Sequence, residues 1–236
     1  AAGGTFARGS IGTYYDSSGV LQTASSGTPR FDYDPVSHAA KGILIEESRT
    51  NLLLNSKDFT AWSNNTNLVI LPDSMSAPDG TMTADTTSSV GSTRYILANV
   101  TSGVKYTYSV YIKPLDPSKL VRVYVDSVAG TGYVDIYPLT NSIQSGFGTY
   151  NNASAISIGN GWYRLTMTFT PTATGTVATH IYPLNSDLTG WWGAQLEQGS
   201  FPTSYIPTTT ATVTRQADVF TVPTGAWYNS GEWSMF

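Results

Sequence analysis

Two groups of side chains have the types and spacing needed to hold a sugar. A pyranose is gripped by an aromatic ring against its C–H side and by planar or forked hydrogen-bonding groups beside its hydroxyls. In KLVRVYVD, strand alternation puts Arg122, Tyr124 and Asp126 on one side and Val121, Val123 and Val125 on the other. In GYVDIYPL it sets Tyr133, Asp135 and Tyr137 opposite Val134 and Ile136. If these two strands pair, the six outward residues form one polar-aromatic patch. The second group joins His180 and Tyr182 with Trp191, Gln195 and Glu197, which share one parity of two late strands. An ordinary solvated sheet face would carry the first pattern too, because Tyr is a good strand former. For the second group, Trp191 or Trp192 is needed to fill a core. Trp162, directly after Asn160-Gly161, reads as a hydrophobic lid over a sheet edge, and Trp62 after Phe59 reads as core.

Catalysis finds little support. A glycosidase needs two carboxyl groups at a set separation with one pKa raised. Glu46 and Glu47 adjoin near the N-terminus, and Asp126 with Asp135 is the least unsuitable pair elsewhere. There is no GxSxG, HExxH or phosphate loop, and His38 and His180, the only two histidines, stand apart from any metal-like cluster. His38 lies in the turn-like PVSHAAKG. The chain therefore reads as non-catalytic, with a polysaccharide depolymerase as the enzymatic alternative.

Composition narrows the class further. Charged residues make up 12% of the 236 residues and hydrophobic ones 40%, with polar turn formers filling the difference, which suits short strands joined by tight turns. The 15 Tyr, 8 Phe and 6 Trp carry more apolar area than a disordered chain would. A net charge of -4 offers no basic field for phosphates, so nucleic acid is not an expected partner. The absence of cysteine removes disulfides, thiolate metal sites and thiol nucleophiles. No apolar run spans a bilayer, so no membrane partner is expected, and AAGGTFARGS lacks the apolar core of a secretory signal; export would proceed by a route such as lysis.

The elements that must position these groups are strands. VKYTYSVYIK places Val104, Tyr106, Tyr108, Val110 and Ile112 on one face; GWYRLTMTFT does the same with Tyr163, Leu165, Met167 and Phe169. TRYILANV, ATHIYPL and GWWGAQLE are further candidates, separated by Gly-, Pro-, Asn- and Ser-rich turns. Seven or more such strands predict an all-β, jelly-roll β-sandwich over residues 51–207. Residues 1–50, with GTYYD, GVLQT, RFDYD and GILIEE, predict an extended N-terminal arm that packs on the sandwich or on a neighbour. Residues 208–236 predict a Pro/Thr-rich connector followed by the start of another domain, because GEWSMF ends apolar.

Two blocks, PRFDYDPVSHAAKGILIEESRTNLLLNSKDFTAW (Pro29 to Trp62) and GWWGAQLEQGSFPTSYIPTTTATVTRQAD (Gly190 to Asp218), resemble a module of bacteriophage tail, fibre and other minor structural proteins. The middle resembles carbohydrate-binding-module and galactose-binding sandwiches. The resemblance implies a virion or extracellular location, a cell-surface or environmental polysaccharide as ligand, and other virion proteins or a homotrimer as partners. It implies equally an architectural or oligomerising element without its own ligand. No cofactor is expected beyond a structural calcium, which such sandwiches often hold near the early Phe and on the last strand. This chain departs there: Thr60 and Ala194-Gln195-Leu196 occupy those places, with Asp58 and Glu197 out of register.

Overall fold

A computed structural model of the protein describes residues 3–64, 68–87, 91–127, 132–148, 150, 152–184 and 188–223. Among these, regular structure is β apart from one turn of 3-10 helix, Phe59–Ala61, capped by the Asp58 side chain on the Thr60 amide. An N-terminal series comprises β1 (Thr5–Ala7), β2 (Gly12–Tyr15), β3 (Leu21–Ala24), β4 (Phe31–Tyr33), β5 (Ala40–Ile43) and β6 (Arg49–Asn51). The sandwich strands are β7 (Ser63–Asn64), β8 (Ile70–Met75), β9 (Ala84–Thr87), β10 (Arg94–Val100), β11 (Tyr106–Pro114), β12 (Val121–Ser127), β13 (Gly132–Tyr137), β14 (Ser142–Phe147), β15 (Asn152–Ser157), β16 (Tyr163–Phe169), β17 (Gly175–Tyr182) and β18 (Thr189–Gln198). Two short strands, β19 (Val213–Arg215) and β20 (Val219–Thr221), follow.

The sandwich consists of two six-stranded antiparallel sheets. Sheet I runs β15-β16-β11-β18-β9-β8 and sheet II runs β14-β13-β12-β17-β10-β7. Successive strands cross repeatedly between the sheets, so that β9-β18-β11-β16 lies over β10-β17-β12-β13 in jelly-roll order. The protein is thus an all-β jelly-roll sandwich.

Alternation decides which side chains fill it. Tyr106, Tyr108, Val110 and Ile112 of β11 meet Leu165 and Met167 of β16 and, from sheet II, Val121, Val123, Val125, Val134, Ile136 and Ile181 in one buried core. Phe59 and Trp62 close it at one end, their rings edge-to-face at 4.8 Å. A second, smaller cluster lies on the other face of sheet I, where Tyr111, Trp162, Trp192 and Tyr205 pack with Leu21 of the arm. This is why Thr107, Ser109, Gln195 and Glu197, all on the polar parity of sheet I, are nonetheless buried.

Arm and tail are joined. β1 pairs with β20 and β6 with β19, both antiparallel. Where these ribbons meet the sandwich, Arg8, Arg30 and Arg215 are buried around Asp218 and Glu46. Arg8 bonds one Asp218 oxygen at 3.0 Å and Arg30 bonds the other. Arg30 also donates to Glu46 at 2.7 Å, and Glu46 in turn accepts from the Ser204 amide and hydroxyl at 2.8 and 2.6 Å. Backbone bonds from Glu46 to the Asp218 carboxylate and from Asp218 to the Glu46 carbonyl, each 2.9 Å, complete the knot. Burial alone would raise the pKa of Glu46, but Arg215, the Ser204 bonds and Arg30 outweigh it and hold the carboxyl below its usual range. No helix among the described residues is long and apolar enough to cross a membrane.

Removing one partner from a buried ion network strands the opposite charges, at a cost of about 3–5 kcal/mol. Asp218→Ala is therefore expected to lower the unfolding free energy by roughly that amount in urea titrations; a loss under about 1 kcal/mol, the ceiling for an exposed pair, would contradict the network's role. Because the folded-state pKa of Glu46 is depressed, its contribution is complete above about pH 4.3 and is lost as pH falls through the folded value. Glu46→Gln is expected to flatten that acid limb.

Candidate functional site

The outward face of sheet II carries an unbroken cross-strand row. Tyr95 on β10 lies opposite His180 on β17, His180 opposite Tyr124 on β12, Tyr124 opposite Tyr133 on β13, and Tyr133 opposite Phe147 on β14. Ring centroids are 5.5, 4.2, 6.4 and 6.1 Å apart in that order, with Tyr124 stacked on His180 and Tyr133 on Phe147. The next row along the strands joins Tyr182, Arg122, Asp135 and Ser145. There Arg122 grips Asp135 through Nε and Nη2 at 2.7 and 2.8 Å, and its guanidinium lies 3.8 Å from the Tyr133 ring centre and 4.9 Å from that of Tyr182. The Ser145 hydroxyl donates to Asp135 at 3.0 Å. Asp126 sits beside Tyr124 and bonds its hydroxyl, while Tyr137, at the strand end, bonds Gln144 at 3.2 Å.

The structure therefore brings Arg122, Tyr124, Asp126, Tyr133, Asp135 and Tyr137 together on one face and adds His180 and Tyr182 to them. It does not bring Trp191, Gln195 and Glu197 there. His180 and Tyr182 belong to sheet II, whereas those three belong to β18 in sheet I, so a shared parity in sequence is not a shared surface. Within β18 the parity itself breaks. Gly193, at φ +62, forms a bulge opposite β11, so Trp191 faces the core with Ala194 and Leu196 while Gln195 and Glu197 face the other way. A Cβ at Gly193 would meet Tyr111 at 2.8 Å, which reserves the position for glycine. Trp191 donates to the Thr87 hydroxyl at 2.9 Å. Gln195 receives the Ile206 amide, and Glu197 receives the amide and hydroxyl of Thr203, each at 2.7 Å. All three are framework.

Those bonds also bear on calcium. Both Glu197 oxygens are already occupied by Thr203, and Asp58 caps its helical turn, so this pair does not fit an oxygen cage for the ion. Among the described residues no group of three or more His, Asp or Glu is placed to hold a metal. Trp162 is buried in the second cluster, Trp62 is in the main core, and His38 is exposed at φ 61 in its turn.

Two members of the row were not anticipated. Tyr95 follows from the parity of TRYILANV, where Ile96, Ala98 and Val100 turn inward. Phe147, 61% exposed, lies on β14, whose residues are exposed throughout and so carry no alternation to read. Burial pushes the His180 pKa down to about 4, against an opposing pull from Asp126, so the imidazole at the centre of the row is neutral near pH 7. What this face can do is present aromatic edges and one open ring, flanked by a held guanidinium, carboxylates and phenol hydroxyls.

No family model matches the chain, and no curated protein matches it. Solved structures similar to it include the CBM22-1–GH10 modules of a Clostridium thermocellum endo-1,4-beta-D-xylanase complexed with xylohexaose, with a TM-score of 0.38 and 13% identity over 64% of this chain. Another is the enzymatically active domain of bacteriophage CBA120 tailspike protein 4, with a TM-score of 0.38 and 9% identity over 63% of this chain. The chain spans 28% and 21% of the length of those two. The fold assignment stands on strand order.

His180 sets a pH dependence of stability. Its folded pKa, about 4, lies below the ordinary value near 6.5, so between those pH values the unfolded chain binds the proton first. Stability is expected to fall as pH drops from about 6.5 to about 4. In urea midpoints measured across that window, His180→Phe should remove this component; an identical slope in the variant would contradict the assignment.

Proposed function

We propose that the module is a non-catalytic glycan-binding unit that engages a polysaccharide through the outward face of sheet II. The observation that carries this reading is the cross-strand row Tyr95–His180–Tyr124–Tyr133–Phe147 with Arg122 held over the Tyr133 ring. An uncharged aromatic row beside fixed polar groups suits a ligand with C–H faces and many hydroxyls. The non-catalytic reading is supported by the occupation of the carboxylates: Asp135 is bound by Arg122 and Ser145, and Asp126 by Tyr124, which leaves neither poised as an acid or nucleophile.

The setting we infer is a bacteriophage virion appendage, from the resemblance carried by the blocks Pro29 to Trp62 and Gly190 to Asp218. Contact with other virion proteins or further copies, as in a trimer, is supported by apolar side chains left exposed on the arm and tail, among them Phe31, Ile43, Ile45 and Phe220. Several copies on one particle would turn weak single-site binding into useful adhesion.

A glycan array followed by titration with the positive saccharide tests the reading. Phe147→Ala and Tyr124→Ala are each expected to weaken binding about 30-fold, equivalent to about 2 kcal/mol at a central contact, with the urea midpoint of Phe147→Ala unchanged. An array silent for the wild type, together with a stable oligomeric mass by light scattering, would favour the architectural alternative.

A further inference from the structure

A wide cleft lies on the opposite side of the molecule from the aromatic row. It measures about 500 Å³ and is walled by the arm hairpins on one side, by β15 and β16 of sheet I on another, and by residues 200–205 on the third. A cavity of this size falls within the range of about 300–1,000 Å³ that buries most of a small ligand. The arm is fixed in place above the sheet. Thr13 donates to the Tyr205 carbonyl at 2.6 Å, the Leu21 amide to the Pro78 carbonyl at 3.0 Å, and Arg30 to Ser204 at 2.8 Å. The cleft is therefore a preformed gap between two rigid walls.

Its lining is mixed. Ser154 and Thr166 face each other across β15 and β16, their hydroxyls 2.7 Å apart. Tyr14 and the half-exposed Phe201 supply aromatic surface. Asp32 accepts the Tyr15 amide on Oδ1 at 2.9 Å, which leaves Oδ2 for a ligand hydroxyl. Arg164 is held by the Thr203 carbonyl and the Ser109 hydroxyl at 2.8 and 2.9 Å, which fixes its guanidinium in the wall of the cleft. Asp32, Asp34 and Glu46 outnumber Lys41 and Arg164 in the lining, which disfavours an anion, and the row of hydroxyls disfavours a lipid tail.

The geometry points to this cleft as a second binding site, distinct from the face of sheet II, for a short segment of a neutral oligosaccharide. Ring surface from Phe201 and Tyr14 would cover the C–H side of a sugar. Ser154, Thr166 and Asp32 would meet its hydroxyls. The inference does not rest on the sheet II reading, since no residue is shared between the two. If both hold, one chain carries two saccharide sites on opposite faces and can bridge two glycan strands.

The full-length chain, labelled with nitrogen-15, would be titrated with xylohexaose, cellohexaose, maltohexaose and chitohexaose to about 10 mM, which saturates millimolar binding. The expected result is saturable shifts at the amides of Ser154, Thr166 and Phe201 with at least one probe. Phe201→Ala should weaken those shifts about tenfold, and Asp32→Asn, which keeps the acceptor for Tyr15, should weaken them while the folded spectrum persists. Cleft amides silent towards all four probes would overturn the proposal. So would protection of the β15 edge amides in a dimer that Ile156→Glu dissolves, because the cleft would then hold a second copy. Shifts at Tyr124, Tyr133 and Phe147 report the other site separately, so either reading can fail while the other stands.

Discussion

A buried cluster of three arginines and two carboxylates holds the ends of this chain to its middle. Arg8 and Arg30 come from the arm, Glu46 from the segment entering the sandwich, and Arg215 and Asp218 from the tail. Removing such charges from water is costly unless every partner is present, so the cluster forms as a whole or not at all. Once formed, it sets the arm hairpins against sheet I, buries the polar parity of that sheet, and leaves sheet II with the free face. The asymmetry of the molecule follows from this one constraint.

The same constraint ties together the two sequence blocks Pro29 to Trp62 and Gly190 to Asp218. Glu46, Asn51 and Ser56 of the first block meet Ser204, Tyr205, Ile206, Arg215 and Asp218 of the second. Asn51 donates to the carbonyls of Ala194 and Ile206 and accepts from Leu53 and Leu196, so one side chain stitches the sandwich entrance to its last strand. Ser56 and Tyr205 share a hydroxyl contact of 2.6 Å in the interior. These residues are framework.

Much of the sandwich was legible because its central strands alternate cleanly. Tyr106 to Ile112, Val121 to Val125 and Tyr163 to Phe169 put the expected residues inward. The six-residue patch on β12 and β13 could likewise be read from parity and pairing alone. What could not be read has specific causes. β14 is exposed on both faces and β9 is buried on both, so neither shows a period of two. On β18 the Gly193 bulge shifts the register after Trp192, and no local pattern announces it. The burial of Gln195 and Glu197 comes from residues 203–206 and the arm laid over them, a tertiary fact that parity within a strand cannot contain.

The most direct test of the framework is hydrogen exchange of the intact protein, comparing arm amides with those of the sandwich. If the ion cluster joins arm, tail and sandwich into one cooperative unit, the amides of β2, β3 and β4 should open with the same free energy as those of β11 and β12. Arm amides that exchange at a distinctly lower free energy, with β11 and β12 still protected, would show that the arm is an independently opening flap and would contradict the central role given to Asp218 and its arginines.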